Sequence, residues 1–258
     1  MIEILNEDQL ARARRAGSLV GNTLQTLRER ATVGTNLLEL DRLTAEMIEA
    51  GGGVSCYVDY APSFGNGPFG HYVCTAVNDA VLHGMPHDYA LADGDLLTLD
   101  LAISVDGIAA DAAISFIVGE SRPEESVALI EATQCALAAG IAVAKPDARI
   151  GDISHAIGGV LKSAGYSINM EFGGHGIGST MHQEPHVANN GRAGRGYRLR
   201  PGLLLAVEPW VMADTDRLAV DADGWTLRSA TGGRTAHSEH TIAITEDGAE
   251  ILTLPTSS

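Results

Sequence analysis

Residues 96–118 read LLTLDLAISVDGIAADAAISFIV and contain two apolar runs of strand length joined by Asp106-Gly107. An Asp-Gly pair between two such runs is a strong signal for a β-hairpin. Each run is interrupted once by a carboxylate, Asp100 in the first and Asp111 in the second. The segment therefore predicts a hairpin over 96–105 and 108–118 that carries two acids where apolar side chains belong.

The hairpin brings its two acids together in either of two registers. A two-residue turn pairs Val105 with Ile108, which places Asp100 opposite Ala113 and Asp111 diagonally beside it on the same face. A four-residue turn would place Asp100 directly opposite Asp111. A single strand aspartate often marks a sheet edge or caps a turn, but two buried carboxylates this close require a cation or a shared proton.

The elements around the hairpin repeat the order helix, helix, strands. Apolar residues with helical spacing follow Asn6, recur from near Thr35 to Gly51, and precede extended segments at 73–82, 96–105 and 108–118. Two further helices, from Pro123 to about Ala144 and over 153–164, precede apolar runs at 203–211 and 238–244. We expect an α+β fold forming a single catalytic domain over 1–258, with similar halves at about 1–120 and 121–258.

The composition excludes several classes of partner. The 258 residues include 17 Lys+Arg and 33 Asp+Glu, a net charge of −16, which disfavours nucleic acid and anionic membranes. Hydrophobic residues make up 45%, which indicates a folded chain. Three cysteines without a CxxC pair, no signal-peptide pattern and no uninterrupted membrane-length apolar run predict a cytoplasmic protein with no membrane partner.

Three more titratable residues stand in unusual surroundings. His175 lies between glycines in EFGGHGIGSTMHQEPH, a setting that is also common for turn residues, while Glu208 and Glu239 interrupt the apolar runs LLLAVEPWV and HSEHTIAI. Together with the hairpin acids they form a donor set of four carboxylates and one imidazole. That set suits a pair of octahedral-type divalent ions such as Mn, Fe or Co better than a structural zinc, and ions sharing carboxylates activate water for hydrolysis.

Seven residues in order carry a resemblance to a known family: His83 in VNDAVLHGMP, Asp100, Asp111, His175 in GHGIG, His182 in MHQEP, Glu208 in EP and Glu239 in EHTI. With DGWT at Trp225, this order closely resembles the methionine aminopeptidases, and the resemblance covers nearly the whole chain. It implies the pseudo-two-fold pita-bread fold, with antiparallel sheet covered by helices, in the short bacterial type I form.

The resemblance also implies a role for each site residue. Asp100 would chelate one ion, Asp111 and Glu239 would bridge two divalent ions (Mn, Fe, Co or Zn), and His175 and Glu208 would complete the set of ligands around the other ion. Three residues would be catalytic: His83 at the scissile amide nitrogen, His182 as donor to the carbonyl oxygen, and Glu208 as proton shuttle. The residues that would contact the substrate are His83, His182, Cys74, Tyr72, Met181 and Trp225.

The departures from the family pattern concern the substrate pocket. Tyr72 replaces an expected small residue, Leu82 stands where many members have Cys, and Met181 and Ser238 stand where bacterial relatives generally have Phe or Tyr. Because Met is more adaptable than an aromatic ring, these changes predict a roomier and softer pocket.

The implied function is removal of the N-terminal methionine from nascent proteins and peptides, with a preference for a small second residue. Its partners would be peptide or nascent-chain N-termini, including those at the ribosome, and we expect a monomer. Two alternatives remain open from the sequence: a proline-directed aminopeptidase or dipeptidase of the same fold, and a non-catalytic pita-bread binding protein. The pocket for the released residue separates the two peptidases, and loss of a ligand would have favoured the binding protein.

Overall fold

The computed structural model describes residues 2–63 and 65–256. Its helices and strands in chain order are α1 Glu7–Arg30, α2 Leu37–Ala50, β1 Val54–Ser55, β2 Cys74–Val77, β3 Ala80–Leu82, β4 Leu96–Val105, β5 Ile108–Ile117, α3 Glu124–Val143, α4 Ile150–Ser163, β6 Gly174–Gly176, β7 Gln183–Val187, β8 Leu204–Val207, β9 Trp210–Met212, β10 Leu218–Val220, β11 Leu227–Ser229, β12 Thr235–His237, β13 His240–Thr245 and β14 Gly248–Ile251. The predicted order of two helices and then strands occurs twice along the chain.

The β4–β5 hairpin has the register of a two-residue turn. Val105 pairs with Ile108 and Asp100 with Ala113, so Asp111 lies diagonally next to Asp100. Both turn residues, Asp106 and Gly107, have positive φ angles of 47° and 77°, as the hairpin turn formed by an Asp-Gly pair requires. The two-residue alternative is therefore confirmed.

Helices α1 and α2 cover the hairpin sheet, in which β4 pairs with β1, β2 and β5. The side chain of Asn6 accepts a hydrogen bond from the backbone N–H of Gln9, and the side chain of Gln9 accepts one from the backbone N–H of Asn6. Helix α1 therefore starts with the predicted capping box. Helix α2 begins two residues later than expected because Asn36, rather than Thr35, caps it.

The strands of the second half break at their glutamates. The predicted run 203–211 is split into β8 and β9 at Glu208, and β13 starts at His240, so Glu239 lies between β12 and β13. Strands β8 and β13 belong to the five-stranded sheet β14-β13-β8-β6-β7, whereas β9 pairs with β12 separately. Each glutamate thus occupies a point where the chain leaves one sheet for another.

The two halves are joined by hydrogen bonds beside the hairpin acids. The Thr241 hydroxyl donates to the Asp111 carbonyl and accepts from the Asp111 N–H, both at 2.8 Å. The Glu239 N–H donates to the Ala113 carbonyl at 2.9 Å. These bonds fix the carboxylates of the first half against those of the second.

Helix α3 is long and apolar enough to cross a membrane when judged by length and composition, with a mean hydropathy of 1.6. Its buried residues, which include Leu129 and Ala136, pack against α4 and the strands beneath. The core helix of a globular domain can meet the same test.

Candidate metal centre and active site

Five side chains with metal-ligating atoms converge where the two halves meet: Asp100 from β4, Asp111 from β5, His175 from β6, Glu208 after β8 and Glu239 before β13. The ligand atoms of Asp100, Asp111 and Glu239 lie within 4.8 Å of one another. Those of His175, Glu208 and Glu239 do so as well. The structure thus brings together all five donors predicted from the sequence, and Glu239 belongs to both groups.

Burial makes the ionised form of these carboxylates costly. It raises the pKa of Asp100 to about 6 and that of Glu208 to about 8. Burial and the neighbouring negative charges raise the pKa of Asp111 and Glu239 well above the usual range. Oε1 of Glu239 has no hydrogen-bond partner among residues 2–63 and 65–256. Divalent cations would supply the missing counter-charge, so the carboxylates fit a metal site.

The ring of His175 is oriented as a metal ligand. Its Nδ1 lies 3.0 Å from the Gly176 carbonyl, which can only accept, so Nδ1 carries the proton and Nε2 presents its lone pair. Nε2 lies 3.7 Å from Glu208 Oε1. Burial lowers the pKa of His175 to about 3, which keeps the ring neutral. One neutral imidazole and four carboxylates suit hard or borderline divalent ions.

Metal-free protein is expected to lose stability as the pH rises from about 7 to about 8, above the pH at which the histidines of the unfolded chain lose their protons. The pKa of Glu208 goes from an ordinary 4.5 to about 8 on folding, so in this window the unfolded chain has released a proton that the folded chain retains. The free energy of unfolding then falls with pH, by about 1.4 kcal/mol for each unit of pKa shift. Circular dichroism melts of EDTA-treated protein across this range, with and without Mn²⁺, measure the effect; a melting temperature that rises with pH without metal would contradict it.

A cavity of about 270 Å³ opens beside the donors. Besides these donors, its lining includes Tyr57, Tyr60, Phe69, Cys74, Leu82, His83, Phe172, Met181, His182 and Trp225. The aromatic rings meet edge to face, with centroids 5.8 Å apart for Tyr57 and Phe69 and 5.2 Å apart for Phe69 and Trp225. The cavity therefore has an apolar aromatic wall on one side and the acidic cluster on the other.

Two histidines border both the cavity and the cluster. The ring of His182 is edge-on to that of His175, with centroids 4.4 Å apart, and its Nδ1 lies 3.0 Å from the Tyr60 hydroxyl. The His83 ring is roughly perpendicular to the rings of Phe172 and Trp225, with centroids 5.7 and 6.2 Å away. Burial lowers the pKa of His83 to about 4, so this ring is neutral near pH 7.

Some of the residues predicted to line the substrate pocket line the cavity, and others do not. Cys74, Met181 and Trp225 line the cavity, but Tyr72 does not. Asp41 of α2 accepts from the Tyr72 backbone N–H at 2.7 Å and contacts His71 at 2.8 Å, which draws this segment toward α2. The Tyr72 side chain packs against a core cluster that also contains Met181 and Trp225, so its assignment to substrate binding stays a prediction.

Ser238 also lies outside the cavity lining. Its hydroxyl is within hydrogen-bond distance, 2.9 Å, of the Thr133 hydroxyl on α3, because neighbouring residues in extended chain face opposite sides and Glu239 faces the cluster. Of the two non-aromatic positions expected to soften the pocket, only Met181 is part of it.

Sequence reasoning missed several lining residues. Tyr57, Tyr60 and Phe69 come from an irregular segment before β2, where no periodicity marks an inward face. His237, in the same HSEHTIAI motif as Glu239, is 2% exposed and could have been noticed as a second polar residue beside an apolar run. Tyr57 contacts the cluster directly, since its hydroxyl donates to Asp100 Oδ1 at 2.6 Å.

Comparison with known proteins identifies the family. Residues 11–246 match the model of metallopeptidase family M24. The chain belongs to this family. A methionine aminopeptidase of Clostridium perfringens is 40% identical over 255 residues, which cover 98% of this chain and 99% of that relative. The crystal structure of a methionine aminopeptidase from Thermotoga maritima matches with a TM-score of 0.93 at 34% identity, covering 98% and 100% of the two chains.

A prolidase from Pyrococcus furiosus matches with a TM-score of 0.77 at 19% identity, covering 98% of this chain and 66% of the prolidase, which shows a shared fold alone. The predicted pita-bread fold is therefore confirmed, and the M24 chain is a metal-dependent hydrolase. Its buried acidic and histidine cluster is where divalent metal would bind.

Proposed function

We propose that this M24 metallopeptidase removes N-terminal methionine, using two divalent ions. The observation that carries the proposal is that Glu239 belongs to two groups of three donors, beside a cavity with an apolar aromatic wall. Asp111 also belongs to two such groups, one with Asp100 and Glu239 and one with His175 and His182, which supports a bridging role for both carboxylates. When bound, divalent ions at this centre would polarise the scissile carbonyl and lower the pKa of the attacking water.

The cavity favours an unbranched, polarisable side chain. Its volume of about 270 Å³ and its wall of Phe69, Trp225 and Tyr57 suit a thioether, which gains from contact with aromatic rings. The proposal assigns the free α-amine of the first residue to the acidic cluster, beside Asp100, and this assignment would restrict cleavage to the first peptide bond.

The remaining chemistry is assigned to three side chains. With the Tyr60 hydroxyl donating to Nδ1 of His182, the ring proton lies on Nε2, which donates to the scissile carbonyl oxygen and stabilises its developing negative charge. His83 contacts the amide nitrogen of the leaving group. Glu208, which lies beside the attacking water in this proposal, transfers the proton of that water to the departing amine.

The cellular setting follows from the same proposal. Peptide and nascent-chain N-termini are the substrates, and one catalytic unit is built from both halves of the chain. The described cysteines Cys56, Cys74 and Cys135 are all free, which suits a reducing cytoplasm.

Three peptides test the proposed substrate: Met-Ala-Ser, Met-Lys-Ser and Ala-Pro-Ser, incubated with metal-stripped protein before and after addition of Mn²⁺ or Co²⁺. We expect metal-dependent release of Met from Met-Ala-Ser alone. Release of Ala from Ala-Pro-Ser would move the protein to the proline-directed peptidases. Metal binding without any cleavage would favour a non-catalytic role.

The substitution Met181→Phe is expected to sharpen selectivity for methionine. A rigid ring in place of the adaptable Met181 side chain narrows the cavity, so branched first residues lose more transition-state binding than methionine does. We expect the ratio of kcat/KM for Met-Ala-Ser over Leu-Ala-Ser to rise by roughly fivefold or more. Met47→Phe on α2, outside the cavity lining, is the matched control, and an unchanged ratio in Met181→Phe would refute the role of Met181.

A further inference from the structure

His237 is a buried histidine that lies beside the acidic cluster. The proposed reaction gives this histidine no role. It is 2% exposed, and neither ring nitrogen has a hydrogen-bond partner in the described part of the chain. Its Nε2 lies 3.7 Å from Glu208 Oε2 and 3.9 Å from Glu239 Oε2. Buried polar atoms are nearly always hydrogen-bonded, so the orientation of this ring toward two carboxylates indicates its partners.

The backbone of His237 is held firmly in place. Its N–H donates to the Ser115 hydroxyl at 2.9 Å, and that hydroxyl donates back to the His237 carbonyl at 2.7 Å. Strand β12 also pairs His237 with Trp210 of β9. The backbone is thus fixed at a place from which the ring lies beside both carboxylates.

The two oxygens of Glu208 face different neighbours. Oε1 lies 3.7 Å from Nε2 of His175, on the side of the metal ligands, whereas Oε2 lies 3.7 Å from Nε2 of His237. In Glu239, Oε2 is the oxygen that faces His237, and Oε1 has no hydrogen-bond partner among the described residues. In each glutamate, one oxygen is turned to His237 and the other is left for the metal site.

We propose that His237 is a positioning residue whose neutral ring donates Nε2–H to Glu208, and holds Glu208 and Glu239 with their other oxygens directed at the metal ions. The proposal rests on the proposed function only through the metal centre. Tyr57 makes a bond of the same kind to another of the donors, since its hydroxyl donates to Asp100. Hydrogen bonds of this kind orient metal-ligating groups, and their loss typically lowers metal affinity by about 10- to 100-fold.

The substitutions His237→Leu and His237→Gln separate this role from simple packing. Leucine fills the buried site without a donor, whereas the glutamine amide can still donate from a similar position. Calorimetric titration of metal-stripped protein with Mn²⁺ should show affinity about 10- to 100-fold weaker for His237→Leu and within about threefold of wild type for His237→Gln. The visible absorption of the Co²⁺-loaded protein should change in His237→Leu and return to the wild-type spectrum in His237→Gln. His155→Leu, at an exposed histidine on α4, is the control.

Wild-type affinity and an unchanged Co²⁺ spectrum in His237→Leu would overturn the proposal. If circular dichroism shows that His237→Leu does not fold, His237→Asn decides, because its amide is too short to reach the carboxylates; wild-type affinity in that variant would overturn the proposal equally. If the wild-type protein binds Mn²⁺ and the variants differ as expected, but Met-Ala-Ser is not cleaved, the proposed function fails while the role of His237 stands.

Discussion

The substitution Glu239→Gln is expected to lower kcat/KM for Met-Ala-Ser by about a thousandfold or more. Glu239 belongs to both donor groups, so one change weakens both ion positions, and the chemistry of such ions contributes several kcal/mol. The neutral amide keeps the shape of the side chain. Release of Met, followed at saturating Mn²⁺ or Co²⁺, measures the loss.

The same substitution should make the metal-free protein more stable. Burial and the neighbouring carboxylates raise the pKa of Glu239, so near pH 7 the folded chain either ionises it at a cost or retains a proton that the unfolded chain releases, and a neutral amide removes that cost. A higher melting temperature together with lost activity would exclude unfolding as the cause. Glu250→Gln is the matched control, since Glu250 on β14 pairs with Arg14 at the surface and should leave activity unchanged. Activity of Glu239→Gln within about tenfold of wild type would contradict the bridging role.

The substitution His182→Ala is expected to lower kcat by about 100- to 1,000-fold with little change in KM. The proposed role of His182 is to stabilise negative charge that develops on the carbonyl oxygen only in the transition state, and one such donor typically contributes this much. Steady-state kinetics on Met-Ala-Ser at saturating metal separates the two parameters.

His155→Ala serves as the control for His182→Ala because His155 is exposed on α4. A rise in KM at constant kcat would show that His182 binds ground-state substrate instead of stabilising the transition state. Tyr60→Phe should give a smaller loss in kcat than His182→Ala, since it removes only the hydroxyl that contacts Nδ1 and leaves the donor itself in place.

The hairpin and its acids could be predicted from the sequence because the signals there are local. Asp106-Gly107 selects the two-residue turn, and the turn alone fixes the position of Asp100 relative to Asp111. Glu208 and Glu239 were found because acids inside apolar runs need a partner. The breaks in the strands at these two glutamates could not be predicted, because they arise where the chain passes from one sheet to another, which no local pattern marks.

The aromatic wall and His237 could not be predicted from local patterns. Tyr57 and Phe69 lie in a segment without regular structure, where no local pattern marks which side chains face the cavity. The position of Tyr72 at the end of this segment depends on a long-range bond, from its backbone N–H to Asp41 of α2. His237 acquires its meaning only from its distances to two glutamates on other strand ends. Contacts between distant parts of the chain, set by tertiary packing, decide all of these positions.

The most direct test of the account is a titration of metal-stripped protein with Co²⁺, in which Met release from Met-Ala-Ser and bound metal are measured on the same samples. We expect no release without metal and activity that rises with Co²⁺, reaching its plateau at about two ions per chain. Full activity after removal of metal, or saturated binding without any release of Met, would contradict a metal centre built by Asp100, Asp111, His175, Glu208 and Glu239 for this reaction.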